Sequence, residues 1–146
     1  SIQEGHQKYK LTKIVTFTPR FIIKNDLNED INFREPESKN INPVKAKNLA
    51  PLHFLRQGNV KQLMLCYPVK VQRVNIILMT RSAPININEL GRVHLKLEKS
   101  DKELDLIRTE ILLEDATVFV IFTKEEGRWP YRIENYSDVD IAFYQQ

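Results

Sequence analysis

Residues 100–114 read S-D-K-E-L-D-L-I-R-T-E-I-L-L-E, and two incompatible patterns compete there. Ser100-Asp101-Lys102-Glu103 has the spacing of a helix capping box, and Leu104, Ile107 and Ile111 follow at helical intervals. The same residues alternate as a strand once a bulge near Arg108 shifts the phase. Taken alone, the stretch supports helix and strand equally, so its surroundings decide. V-H-L-K-L-E at 93–98 alternates strictly and puts Val93, Leu95 and Leu97 on one face. R-V-N-I-I-L-M-T at 73–80 and T-V-F-V-I-F-T at 117–123 are β-branched and aromatic, as strands buried on both faces are. Weaker strand signals lie at 14–18, 21–25, 30–34, 62–67, 131–135 and 140–144. Among so many short strands, 104–114 is expected to be one more. The predicted architecture is all-β, an antiparallel β-sandwich.

The connections agree with this. Lys124-Glu125-Glu126-Gly127-Arg128 and Asn88-Glu89-Leu90-Gly91 have the composition of hairpin turns, each with a glycine free to take a positive φ. The long interval 35–60, with Pro36, Pro43 and Pro51, predicts no regular element beyond a helical turn at 51–56.

Composition bounds the function. The chain has 146 residues, 42% hydrophobic and 28% charged, in the range of a single globular domain. No apolar run approaches the ~20 residues of a membrane-spanning helix. Neither a signal peptide nor a lipidation motif is legible, and Ser1 in place of Met predicts a segment of a longer protein. Cys66 is the only cysteine, which excludes a disulfide framework and predicts a reducing, cytosolic compartment. Asn135-Tyr136-Ser137 matches the N-glycosylation pattern, which carries no weight in that compartment. The net charge of +3 comes from 22 basic and 19 acidic residues well interspersed, unlike the one-sided basic face of a nucleic-acid binder. The densest basic stretch, Lys39, Lys45 and Lys47, reads as a solvated loop, with anionic lipid as its alternative contact.

A short pattern occurs twice. I-I-K-N-D-L-N-E-D-I-N-F at 22–33 and R-I-E-N-Y-S-D-V-D-I-A-F at 132–143 lie 110 positions apart (132 − 22). They share Ile23/Ile133, Asn25/Asn135, Asp30/Asp140, Ile31/Ile141 and Phe33/Phe143, preceded by Phe21 and Tyr131. The shared residues keep strand phase and turn position, and the interval is the size of one sandwich. A tandem array is therefore expected: residues 1–20 the tail of a preceding repeat or an N-terminal strand, 21–130 one repeat, and 131–146 a closing hairpin or the start of the next.

The motifs P-R-F-I-I-K-N at 19–25 and P-Y-R-I-E-N-Y-S-D-V-D-I-A-F-Y-Q at 130–145 resemble the adaptor-binding region of the vacuolar-protein-sorting-thirteen family of bridge-like lipid-transfer proteins, the region also described as SHORT-ROOT-binding-like. The resemblance covers most of the chain and is nearest to a yeast member. It implies tandem β-rich modules marked by an asparagine at the positions of Asn25 and Asn135. It also implies recruitment to endosome, vacuole or mitochondrion contact sites through Pro-x-Pro motifs of adaptor proteins, with membrane association indirect.

The residues themselves leave two roles open for Asn25 and Asn135. Their amides either bond the backbone where a strand turns, or contact the adaptor. Trp129 and Tyr131, with Tyr136, form either a buried strand entry or an exposed platform for proline rings. Asp30 and Asp140 suit turns better than acid–base or metal chemistry, and His6, His53 and His94 share no ligand spacing with Cys66. All four glycines are isolated, so no phosphate loop is present. The expected protein is non-enzymatic and needs neither cofactor nor metal. Its partners are adaptors and neighbouring repeats of the same chain. An anionic-lipid or phosphoinositide module and a spacer repeat are the alternatives.

Overall fold

Leu104–Glu114 forms one unbroken strand in the computed structural model, which describes residues 2–4, 12–53, 60–68, 82–98, 104–127 and 133–142. In chain order the strands are β1 (Ile2–Glu4), β2 (Lys13–Val15), β3 (Phe21–Asn25), β4 (Ile31–Arg34), β5 (Asn42–Val44), β6 (Leu49–Leu52), β7 (Gln62–Cys66), β8 (Ile85–Asn86), β9 (Gly91–Glu98), β10 (Leu104–Glu114) and β11 (Thr117–Lys124). The capping-box residues 100–103 and the expected strand 73–80 lie outside the described residues.

The bulge expected near Arg108 is absent. β10 stays in continuous register with β9 from Leu104 to Ile111 and with β11 from Ile107 to Glu114. One face of the strand buries Asp105, Ile107, Thr109 and Ile111, so two polar residues occupy core-facing positions, and Leu106 is buried on the other face. A bulge was the cheapest way to keep polar residues out of the core. The fold instead keeps its register and satisfies Asp105 internally.

Two sheets face each other. One has the order β6-β3-β11-β10-β9 and the other β5-β4-β7-β8; β1 and β2 form a separate ribbon. All pairings are antiparallel except β3 with β11, which run parallel from Phe21↔Val118 to Asn25↔Phe122. Ile23, Leu97, Ile107, Val120 and Phe122 meet Ile31, Leu63 and Leu65 of the opposite sheet in one apolar cluster, each fully buried. Each such side chain contributes roughly 1.5–3 kcal/mol by leaving water. Leu95 and Leu97 point inward as expected, while Val93 at the start of their strand is 40% exposed.

Two expectations about the connections change. Asn88–Gly91 does not close a hairpin: β8 and β9 belong to different sheets, so this turn carries the chain across the sandwich. The interval 35–60 is not structureless, because β5 and β6 lie within it. Pro43 and Pro51 hid them from a pattern search, yet both strands are sheet edges, where a missing N–H need cost no ladder bond. Pro51 and Leu52 are extended rather than helical. Downstream, residues 133–142 carry no regular strand and are exposed throughout.

Candidate functional site

Asn25 ends β3 with its side chain fully buried, and its amide group organises the turns around it. Oδ1 accepts the backbone N–H of Leu27 at 3.0 Å, closing an Asx turn. Nδ2 donates to Glu29 O at 2.9 Å, Val44 O at 3.2 Å and Lys45 O at 3.1 Å. The Asn25 backbone N–H adds a bond to Asn48 O at 2.9 Å. One side chain thus ties the 26–29 turn to the 45–48 turn between β5 and β6. Aspartate there would lose the donors, and alanine would take a donor from the Glu29 and Val44 carbonyls and leave Lys45 O with the Asn48 N–H at 3.2 Å.

Asp30 grips the same 45–48 turn from the other side. Its carboxylate accepts the Ala46 N–H at 2.9 Å and Lys45 Nζ at 2.8 Å. The hydrogen bond with Asp30, then its charge, raises the Lys45 ammonium above its ordinary pKa. Lys47, held at a φ of 60°, donates Nζ to Asp26 O. All three lysines read as a solvated loop are exposed, and two of them, Lys45 and Lys47, also bond to the protein's own turns.

The second copy of the pattern has the same local geometry. Asn135 Oδ1 accepts the Ser137 N–H at 2.9 Å, and Nδ2 donates to Val139 O at 2.7 Å. These bonds fall at the same offsets as Asn25 with Leu27 and Glu29, but in an exposed setting. Trp129 and Tyr131 lie outside the described residues, so the aromatic grouping is represented by Tyr136 alone, 89% exposed. Its hydroxyl donates to Glu134, which raises the phenol pKa.

A cavity of about 460 Å³ opens beside the 26–29 turn. Two ion pairs form among its charged walls, Lys124 with Asp105 and Arg108 with Glu125. Asp105, 8% exposed, accepts the Tyr67 hydroxyl at 2.9 Å and Lys124 Nζ at 2.8 Å. Burial, then the bond to Asp105, pushes the Tyr67 phenol well above its usual range. Arg108 Nη1 lies 3.5 Å from Glu125, whose other neighbour is His94 Nε2 at 3.4 Å. Sequence reading missed the Tyr67–Asp105–Lys124 group. The signal was there: Asp105 shares strand parity with Ile107 and Ile111, so a carboxylate on the core face needed a partner. Among the described residues no cluster of His, Cys, Asp and Glu has the arrangement of a metal site, and the buried Cys66 thiol lies 3.9 Å from the Asn32 carbonyl.

The polar residues of this sandwich hold its loops and join its sheets. Over residues 1–146 the chain matches the family model of the vacuolar-sorting associated protein 13 adaptor binding domain, and it belongs to that family. An intermembrane lipid transfer protein VPS13 of Chaetomium thermophilum is 44% identical over 145 residues, which is 99% of this chain and 4% of that protein. Vps13D of Drosophila melanogaster is 24% identical over 155 residues, covering 99% and 4% of the two chains. Human VPS13D is 24% identical over 154 residues, covering 99% and 3%. The chain therefore spans only a few per cent of the length of these relatives. The family is defined by adaptor binding, not by a catalytic centre.

Proposed function

We propose that this module binds short Pro-x-Pro segments of adaptor proteins by strand addition, and so directs a lipid-transfer protein to contact sites of endosome, vacuole or mitochondrion. In this reading residues 21–130 are one repeat of an array, with 1–20 and 131–146 belonging to its neighbours. The observation that carries it is the edge position of β9. Eight residues long, β9 pairs only with β10 among the described residues, so half of its backbone groups face outward. The other edges offer less: β8 has two residues, and β5 and β6 each contain a proline. In an extended peptide, residues i and i+2 point their amides the same way. Both prolines of a Pro-x-Pro segment can therefore turn their N-free side away from β9, while the flanking residues pair with it.

Titration with a Pro-x-Pro peptide tests this, with hydrogen exchange to locate the contact and a longer chain containing the next repeat run in parallel. Saturable binding with slowed exchange at 91–98 is expected. Equal affinity after both prolines are replaced by alanine, or protection confined to another edge, would count against it.

A further inference from the structure

The Asn25 turn and the Asn135 turn are the same device in two states of completion. Both asparagines make the two local bonds, to residues two and four positions on. Asn25 goes on to hold the carbonyls of Val44 and Lys45, and Asp30 goes on to hold the N–H of Ala46 and the ammonium of Lys45. At the second copy those outer bonds are missing. Nδ2 of Asn135 donates only to Val139 O, and Asp140 accepts no hydrogen bond among the described residues. The apolar positions show the same contrast independently. Ile23 and Ile31 are 0% exposed, while their counterparts Ile133 and Ile141 are 65% and 61% exposed. A segment whose twin is fully buried thus presents its apolar side chains and an unfilled polar clamp to solvent together.

We propose that Asn135 and Asp140 form a receptor for a tight turn of the polypeptide that continues beyond Gln146. The guest presents two backbone carbonyls to the Asn135 amide, and one backbone N–H with a lysine ammonium to Asp140. It is the chemistry of V-K-A-K-N at 44–48, whose third and fifth members flank the left-handed Lys47. A guest in the same chain is favoured by spacing. Val44 follows Asp30 by 14 positions (44 − 30), and the same step from Asp140 falls roughly eight residues past Gln146. The relatives, of which this chain covers about 4%, have polypeptide to supply it. Docking the turn would draw Ile133 and Ile141 into an adjoining core, so the clamp would close the next module as Asn25 and Asp30 close this one. The inference rests on the modular reading above, but not on recognition of Pro-x-Pro.

Hydrogen exchange with mass spectrometry on the full-length protein tests it, using Asn135→Ala and the conservative Asp140→Asn. Both variants should accelerate exchange about ten-fold or more in the segment some eight to twelve residues beyond Gln146 and leave residues 21–127 unchanged. Asn25→Ala should do the reverse. Changes confined to 131–146 would overturn the proposal, as would changes within 21–127. Protection of 133–142 that appears only when an adaptor peptide is added would also overturn it, because the guest would then come in trans. Peptide affinity, measured separately, reports on the adaptor reading, so the two can fail independently.

Discussion

The hydroxyl of Tyr67, just past β7 in one sheet, donates at 2.9 Å to the carboxylate of Asp105 on β10 of the other, and so ties the two layers of the sandwich together. Burial and this acceptor both favour the neutral phenol, so its native pKa lies above the unfolded value of about 10. Above that pH the unfolded chain releases the Tyr67 proton while the native state keeps it. Stability from this group is therefore complete below about pH 10 and declines as pH rises further. Tyr67→Phe should cost about 1 kcal/mol at neutral pH through the lost bond, and flatten the alkaline fall in stability. Urea melts of both proteins between pH 8 and 11 check this; parallel curves would refute it.

Asn25→Ala removes a buried side chain that satisfies three carbonyls and one backbone N–H. The expected loss is about 3 kcal/mol or more, at the severe end for a single substitution. Asn25→Asp should be comparably harmful, because it turns a carboxylate toward the same carbonyls. Asn135→Ala, in an exposed turn, should fall within about 0.5 kcal/mol in this chain. Chemical denaturation of the three variants separates a structural role for Asn25 from one limited to ligand contact, since the latter leaves stability untouched.

These contrasts show what was legible in the sequence. The strands with clean alternation or dense β-branched runs, β9 and β11, appear where 93–98 and 117–123 were read, extended by one or two residues. β3 appears at 21–25, because F-I-I-K-N has no competing signal. What remained hidden depends on distant partners. The phase of β10 could not be settled locally, since Asp105 belongs in the core only once Tyr67 and Lys124 are beside it. Pro43 and Pro51 disguised two edge strands whose edge position is itself a property of the whole sheet. The duplication singled out Asn25 and Asn135, but not that one holds a guest turn and the other an unfilled copy of the clamp. That difference comes from residues 44–48, fourteen positions and more from Asp30 (44 − 30).

Lys45 and Asp30 make an exposed pair, with side chains 73% and 37% accessible, yet the two residues should not be equivalent on substitution. Lys45→Ala removes a solvated charge and should leave the melting temperature unchanged. Asp30→Ala also removes the acceptor of the Ala46 N–H and should destabilise by about 1–2 kcal/mol. Thermal melts at low and at 0.5 M salt check the assignment, because the Ala46 bond should survive the screening that abolishes the ion pair.

Thr109 sits at the centre of β10, 0% exposed, and its Oγ1 makes no hydrogen bond to any described residue. A buried hydroxyl without a partner costs roughly 1–3 kcal/mol of desolvation. Valine has nearly the same shape, prefers the strand at least as well, and adds a methyl group to the apolar layer beside Ile107 and Ile111. Thr109→Val should therefore stabilise the fold by about 1 kcal/mol, an outcome opposite to that of most core substitutions. Thr109→Ala removes the hydroxyl together with the methyl and should come out near neutral or mildly destabilising, as the cavity offsets the relieved penalty. Denaturant melts of the two variants settle the matter: a destabilised valine variant would mean that the hydroxyl finds an acceptor in solution.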